Sequence, residues 1–158
     1  MAREYIDMLE TSLIKKNKIL EDILRLSNEQ TEIIKNDELD WDVFNENVEA
    51  KGLLVDEISK LDEGFDIMYN NVKDELNINK SQYADSITRM KALIKSISEK
   101  SADIESVERR NKAQIESIFN KTRQTIKQSK VGTKAAMQYY QKMSRVNTID
   151  PQLMDKKS

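Results

Sequence analysis

Residues 41–76 read WDVFNENVEAKGLLVDEISKLDEGFDIMYNNVKDEL, and the spacing of apolar side chains in this stretch decides the fold. Phe44, Val48, Val55, Ile58, Leu61, Phe65, Met68, Val72 and Leu76 recur at helical intervals, with Trp41 near the start. Gly52 and Gly64 lie inside the stretch, and each costs about 1 kcal/mol relative to alanine in a helix interior. The segment is therefore either one continuous helix, closely packed at its glycines, or a helix broken near Gly64.

A polar interruption stands on each side. Before it comes Asn36-Asp37-Glu38-Leu39-Asp40, where Asp37 or Asp40 can accept hydrogen bonds from the free amides that open the next helix and complement its dipole. After it comes Asn77-Ile78-Asn79, with Gln82 three residues beyond Asn79, the pattern of a capping box that starts another helix.

Working outward, the segment from Arg3 to Lys35 sets Ile6, Leu9, Leu13, Leu20, Ile23, Leu26 or Ser27, and Ile34 near one helix face, with Lys16 and Gln30 at seam positions where apolar residues are ideal. Beyond Asn79, the residues Tyr83, Ile87, Met90, Ile94, Ile97, Ile104, Ile115, Ile118 and Ile126 keep the period. Ser101, Glu108 and Asn111 fall in that seam and predict weak packing in its middle. Short connections between helices normally join antiparallel neighbours. The expected fold is all-α: an elongated antiparallel three-helix bundle with coiled-coil-like packing.

Composition agrees. The chain has 158 residues, 34% charged and 38% apolar, with three glycines and one proline. That suits an apolar stripe on each long helix and offers little material for a broad core. With no cysteine and no histidine, the chain lacks thiolate nucleophiles, disulfides, the usual zinc ligands and the commonest proton shuttle near neutral pH. No Gly-rich phosphate loop is present. Carboxylate pairs such as Glu46 and Glu49 share a helix face, but the di-iron pattern of helical bundles also needs Glu-x-x-His. The expectation is a protein that is not an enzyme and takes no metal or cofactor. The opening Met1-Ala2-Arg3-Glu4 leads into a mixed polar pattern with neither a signal peptide nor a membrane span, so the expected compartment is the cytoplasm.

The C-terminal part differs in charge. Residues 1–126 carry a net charge of −7 and residues 127–158 a net charge of +5, and no acidic residue occurs between Glu116 and Asp150. The acidic body argues against nucleic acid as a partner, and the short apolar face argues against stable membrane insertion. Gly132 marks a helix stop or hinge. The expected division is residues 1–130 for the bundle and 131–158 for a mobile amphipathic segment that binds a partner. Its candidate contact residues are Ala136, Met137, Tyr139, Tyr140, Met143 and Val146, since methionine and tyrosine offer adaptable contact area to an apolar groove or helix.

The order of these features resembles the FlgN/FliT-type chaperones of flagellar type III export. The resemblance is carried by Asn36-Asp37-Glu38-Leu39-Asp40, Val43-Phe44, Lys51, Leu53-Leu54 and Ile58, and it covers most of the chain. The stretch Lys134-Ala135-Ala136-Met137-Gln138-Tyr139-Tyr140, with Leu153-Met154-Asp155-Lys156-Lys157 at the end, is similar to the version found in clostridial-type flagellated bacteria. Many FlgN-type tails carry glycine soon after the tyrosine; Tyr139 and Tyr140 have none. The resemblance implies a cytoplasmic chaperone that keeps hook-filament junction subunits, or the filament cap, soluble and unassembled before handing them to the export gate. Homodimerisation stays open at this stage. The rival reading from the residues is a structural coiled-coil scaffold or adaptor, in which the seams serve self-assembly.

Overall fold

A computed structural model describes residues 2–35, 38–121 and 134–143, which are helical almost throughout. Three long helices, α1 (Ala2–Ile33), α2 (Trp41–Ile78) and α3 (Ala84–Lys121), precede a shorter α4 over residues 134–143. The protein is all-α, as its periodicity predicts. At 38 residues each, α2 and α3 are about 57 Å long.

The ends of α2 follow from its sequence. Asp40 is the N-cap: its carboxylate accepts from the Val43 N–H at 3.3 Å, and Asp42 adds a favourable charge in the first turn. Gly52 and Gly64 both sit within an unbroken helix, so the alternative of a break near Gly64 is set aside. Asn79 corrects the capping-box expectation. Its N–H donates to the Glu75 carbonyl at 3.0 Å and its side-chain amide to Glu75 Oε1 at 2.7 Å, so it closes α2 rather than opening α3. A tight turn with the Gln82 N–H donating to the Asn79 carbonyl then leads into α3.

Cross-helix bonds give the directions. From Arg3 with Ser86, through Asn17 with Ser96, to Thr31 with Asn111, α1 and α3 run parallel. Lys16 meets Asp62, whereas Asn47 reaches the Leu26 carbonyl, so α2 runs antiparallel to α1. The apolar faces close between them: Ile6, Leu9 and Ile23 of α1, Val55, Ile58 and Phe65 of α2, and Met90, Ile97 and Ile104 of α3 are all buried. The α2 seam departs from expectation at two positions. Leu61 and Met68 are only half-buried, while Tyr69, absent from the predicted face, is buried and stacks on Phe65 at 6.2 Å.

Three helices do not exhaust the packing. α4 joins the same apolar core through Ala136, Tyr139 and Met143. Tyr139 lies against Lys51 and Lys142 against Asp56, so α4 runs in the direction of α2. The expected boundary at residue 131, the hinge at Gly132 and the contact residue Val146 lie outside the described residues.

Candidate partner-binding site

α4 presents Ala136, Tyr139, Tyr140 and Met143 at helical spacing, which gathers them on one side. That side faces the body. Ala136, Tyr139 and Met143 are buried, Tyr140 is half-buried, and Met137 points outward at 58% exposure. Five of the six predicted contact residues thus lie in α4, four of them packed on the other helices.

Within the apolar core that α4 covers lies a polar cluster. Lys51 of α2 is fully buried, and its ammonium donates to Glu108 Oε1 of α3 at 2.8 Å and to Gln30 Oε1 of α1 at 3.0 Å. The Ser27 hydroxyl donates a short bond to the same Glu108 oxygen. The Asn111 side-chain amide donates to the Ser27 carbonyl at 2.9 Å and to Gln30 Oε1 at 3.3 Å, and Thr31 donates to Asn111 Oδ1 at 2.8 Å. The Tyr139 ring completes the cluster, with the Lys51 ammonium 4.2 Å from its centroid. A second ammonium, that of Lys112, lies 5.6 Å from the Tyr140 ring, and Lys142 pairs with Asp56 at the rim at 3.1 Å.

Burial sets the electrostatics. It pulls the Lys51 ammonium below the ordinary lysine range, against the opposing pull of Glu108. It pushes the Tyr139 hydroxyl well above the ordinary tyrosine range, and the Glu108 charge adds to that shift. Tyr140 is raised by burial first, then by Glu108 and Glu116. Around the seat of α4, Glu108 Oε2 and the hydroxyls of Tyr139 and Tyr140 are among the buried polar atoms that have no hydrogen-bond partner among the described residues. Each such atom costs about 1–3 kcal/mol, so the seat of α4 is an imperfect fit. Beside it, Phe119, Ile115 and Tyr140 line an open cleft of about 450 Å³ between α3 and α4.

The family described as FlgN protein matches residues 1–147. The chain belongs to the FlgN family. No curated protein and no solved structure matches it. FlgN membership makes this a chaperone of flagellum assembly and protein export, and the match takes in α4 together with the three long helices. No helix among the described residues of this FlgN chain is long and apolar enough to cross a membrane, and none of their carboxylates form a group of three or more able to hold a metal ion.

The buried cluster was missed by reading the seams one at a time. Taken alone, Gln30 is a polar interruption of the α1 seam, and Glu108 and Asn111 predict weak packing in the α3 seam. In the fold they are buried and bonded to one another or to shared partners. The usable signal was complementarity: a lysine, Lys51, on one seam and a glutamate, Glu108, on another, each too costly to bury without a partner.

Proposed function

We propose that this FlgN-family chain is a non-enzymatic cytoplasmic chaperone that binds hook-filament junction subunits through the apolar face of α4, holding them soluble and unassembled before export. The observation that carries this reading is the seat of α4. Its four inward residues form the face expected to meet a partner, yet in the free chain they pack on an apolar core interrupted by the buried Lys51–Glu108 pair and by unsatisfied polar atoms. A contact of that kind is readily exchanged. Subunits awaiting export have terminal helical segments prone to pair with one another, and a face that leaves its own groove to cover such a segment blocks that pairing without ATP. The filament cap is the second client this chemistry suits, and the export gate is the receiver of the complex. A coiled-coil scaffold is disfavoured because the seams close on one another within one chain.

The test is titration of purified junction subunit, and separately of cap subunit, into the full-length chain and into Tyr140→Ala/Met143→Ala. The double variant shortens the apolar face and leaves the basic charges unchanged. Its affinity for the true client should fall at least tenfold, with the melting temperature followed on the same samples. Unchanged affinity for both subunits would remove α4 from the binding site.

A further inference from the structure

Lys51 is an unusual floor for a helix-binding groove. An ammonium has three N–H donors; here two are taken by Glu108 Oε1 and Gln30 Oε1, and the cation lies 4.2 Å from the centre of the Tyr139 ring. The three partners come from α3, α1 and α4, and Lys51 itself from α2. The two bonds to the long helices fix where the ammonium stands before any fourth helix arrives. With α4 in place Lys51 is fully buried, so whatever lies over it must replace the water it gives up. An aromatic face does so through its negative quadrupole. An aliphatic side chain leaves a charged N–H against hydrocarbon.

We infer that Lys51 is a specificity-determining residue of this groove: it admits a helix that lays an aromatic ring over its ammonium and rejects one that places an aliphatic side chain there. The chain's own α4 meets the condition with Tyr139. A partner helix that takes the place of α4 meets it with a phenylalanine, tyrosine or tryptophan in the equivalent position, flanked by small or flexible residues where Ala136 and Met143 now sit. This inference rests on the reading that α4 vacates the groove, and it deepens that reading by stating what the groove then selects.

The experiment uses the full-length chain carrying Tyr139→Leu, which loosens its own α4, and fluorescent peptides of this chain's residues 131–147 bearing tyrosine, phenylalanine or leucine at position 139. The tyrosine and phenylalanine peptides should bind about tenfold more tightly than the leucine peptide, the size expected of a desolvated cation–π contact. In a second protein that also carries Lys51→Met with Glu108→Gln, the three peptides should bind within about twofold of one another. Where that protein does not fold, hydrogen exchange of the α4 amides in the otherwise unaltered chain decides. Tyr139→Phe should leave protection within about twofold, and Tyr139→Leu should lower it about tenfold. Equal binding of the three peptides, binding of none, a preference that survives loss of the charges, or equal protection in the Phe and Leu variants would each overturn the inference. All these readouts are made without a client. Their failure therefore leaves client binding through α4 standing, and a failed client titration leaves the peptide preference intact.

Discussion

The indole of Trp41, at the start of α2, lies nearly flat against the ring of Phe119 near the end of α3, with centroids 5.6 Å apart and planes 12° from parallel. Phe44 meets both rings edge-on. This stack ties α2 to α3 at the end of the body where Phe119 also borders α4. Trp41 is the single tryptophan of the chain, so its emission reports on this corner alone. Phe119 is half-buried, and Phe119→Ala should cost about 1–3 kcal/mol, less than the 3–5 typical of a fully buried phenylalanine. Denaturant unfolding followed by tryptophan fluorescence should show both the lower midpoint and a red-shifted native emission.

Ile58 and Phe65 test the α2 seam, since both are buried in the shared core. Alanine at either position should lower stability by roughly 2–5 kcal/mol. Ile67, at 66% exposure, lies on the outer side of the same helix, and Ile67→Ala should stay within about 0.5 kcal/mol of the parent. Equal effects at Ile58 and Ile67 would mean that the helix presents another face to the core.

The Lys51–Glu108 pair gives a non-additive result. Glu108→Ala leaves a buried ammonium without its carboxylate and should cost about 3–5 kcal/mol. Lys51→Met combined with Glu108→Leu removes both charges and should be neutral or more stable than the parent. Chemical denaturation of Lys51→Met, Glu108→Leu and the double variant measures the coupling directly.

Alkaline pH should release α4. Tyr139 and Tyr140 hold their protons more tightly when docked than when free. Their contribution is complete below the unfolded tyrosine value of about 10 and is lost as pH rises beyond it. Lys51 acts with the opposite sign: its lowered native value means that the unfolded chain binds more protons, so stability rises with pH between that value and the unfolded lysine value of about 10.4. The balance should turn near pH 10, roughly, with the protection of the α4 amides, taken relative to base-catalysed exchange of the unfolded chain at the same pH, falling above it while that of α1–α3 is kept. In Tyr139→Phe/Tyr140→Phe that fall in protection should be absent.

How far the sequence carried the fold depends on which physics each residue obeys. Long helices were legible because Val55, Ile58 and Phe65, like Met90, Ile94 and Ile97, bury themselves by periodicity alone, and the Asp40 cap needs only its three following residues. Asn79 was misread because its side chain serves the helix behind it as readily as the one ahead, and local pattern does not say which. Glu108 and Asn111 were misread because a polar residue in a seam looks the same whether it weakens packing or finds a partner some eighty residues away, as with Ser27. The face of α4 was legible as amphipathic; that its free-state partner is this chain's own ion pair depends on three other helices and could not be read from ten residues.

The parallel pairing of α1 with α3 bears on the order of events during synthesis. Its bonds join residues 79 to 84 positions apart, whereas Asn47 reaches α1 at a separation of 21. α2 can therefore fold back on α1 early, but α1 must wait for a segment made much later, a delay of roughly 4–16 s at about 5–20 residues per second. Closing so long a loop also carries more entropy than closing the hairpin. Until α3 emerges, the side of α1 around Ile23 that α3 will cover faces water, so the nascent chain itself passes through a half-paired, adhesive condition.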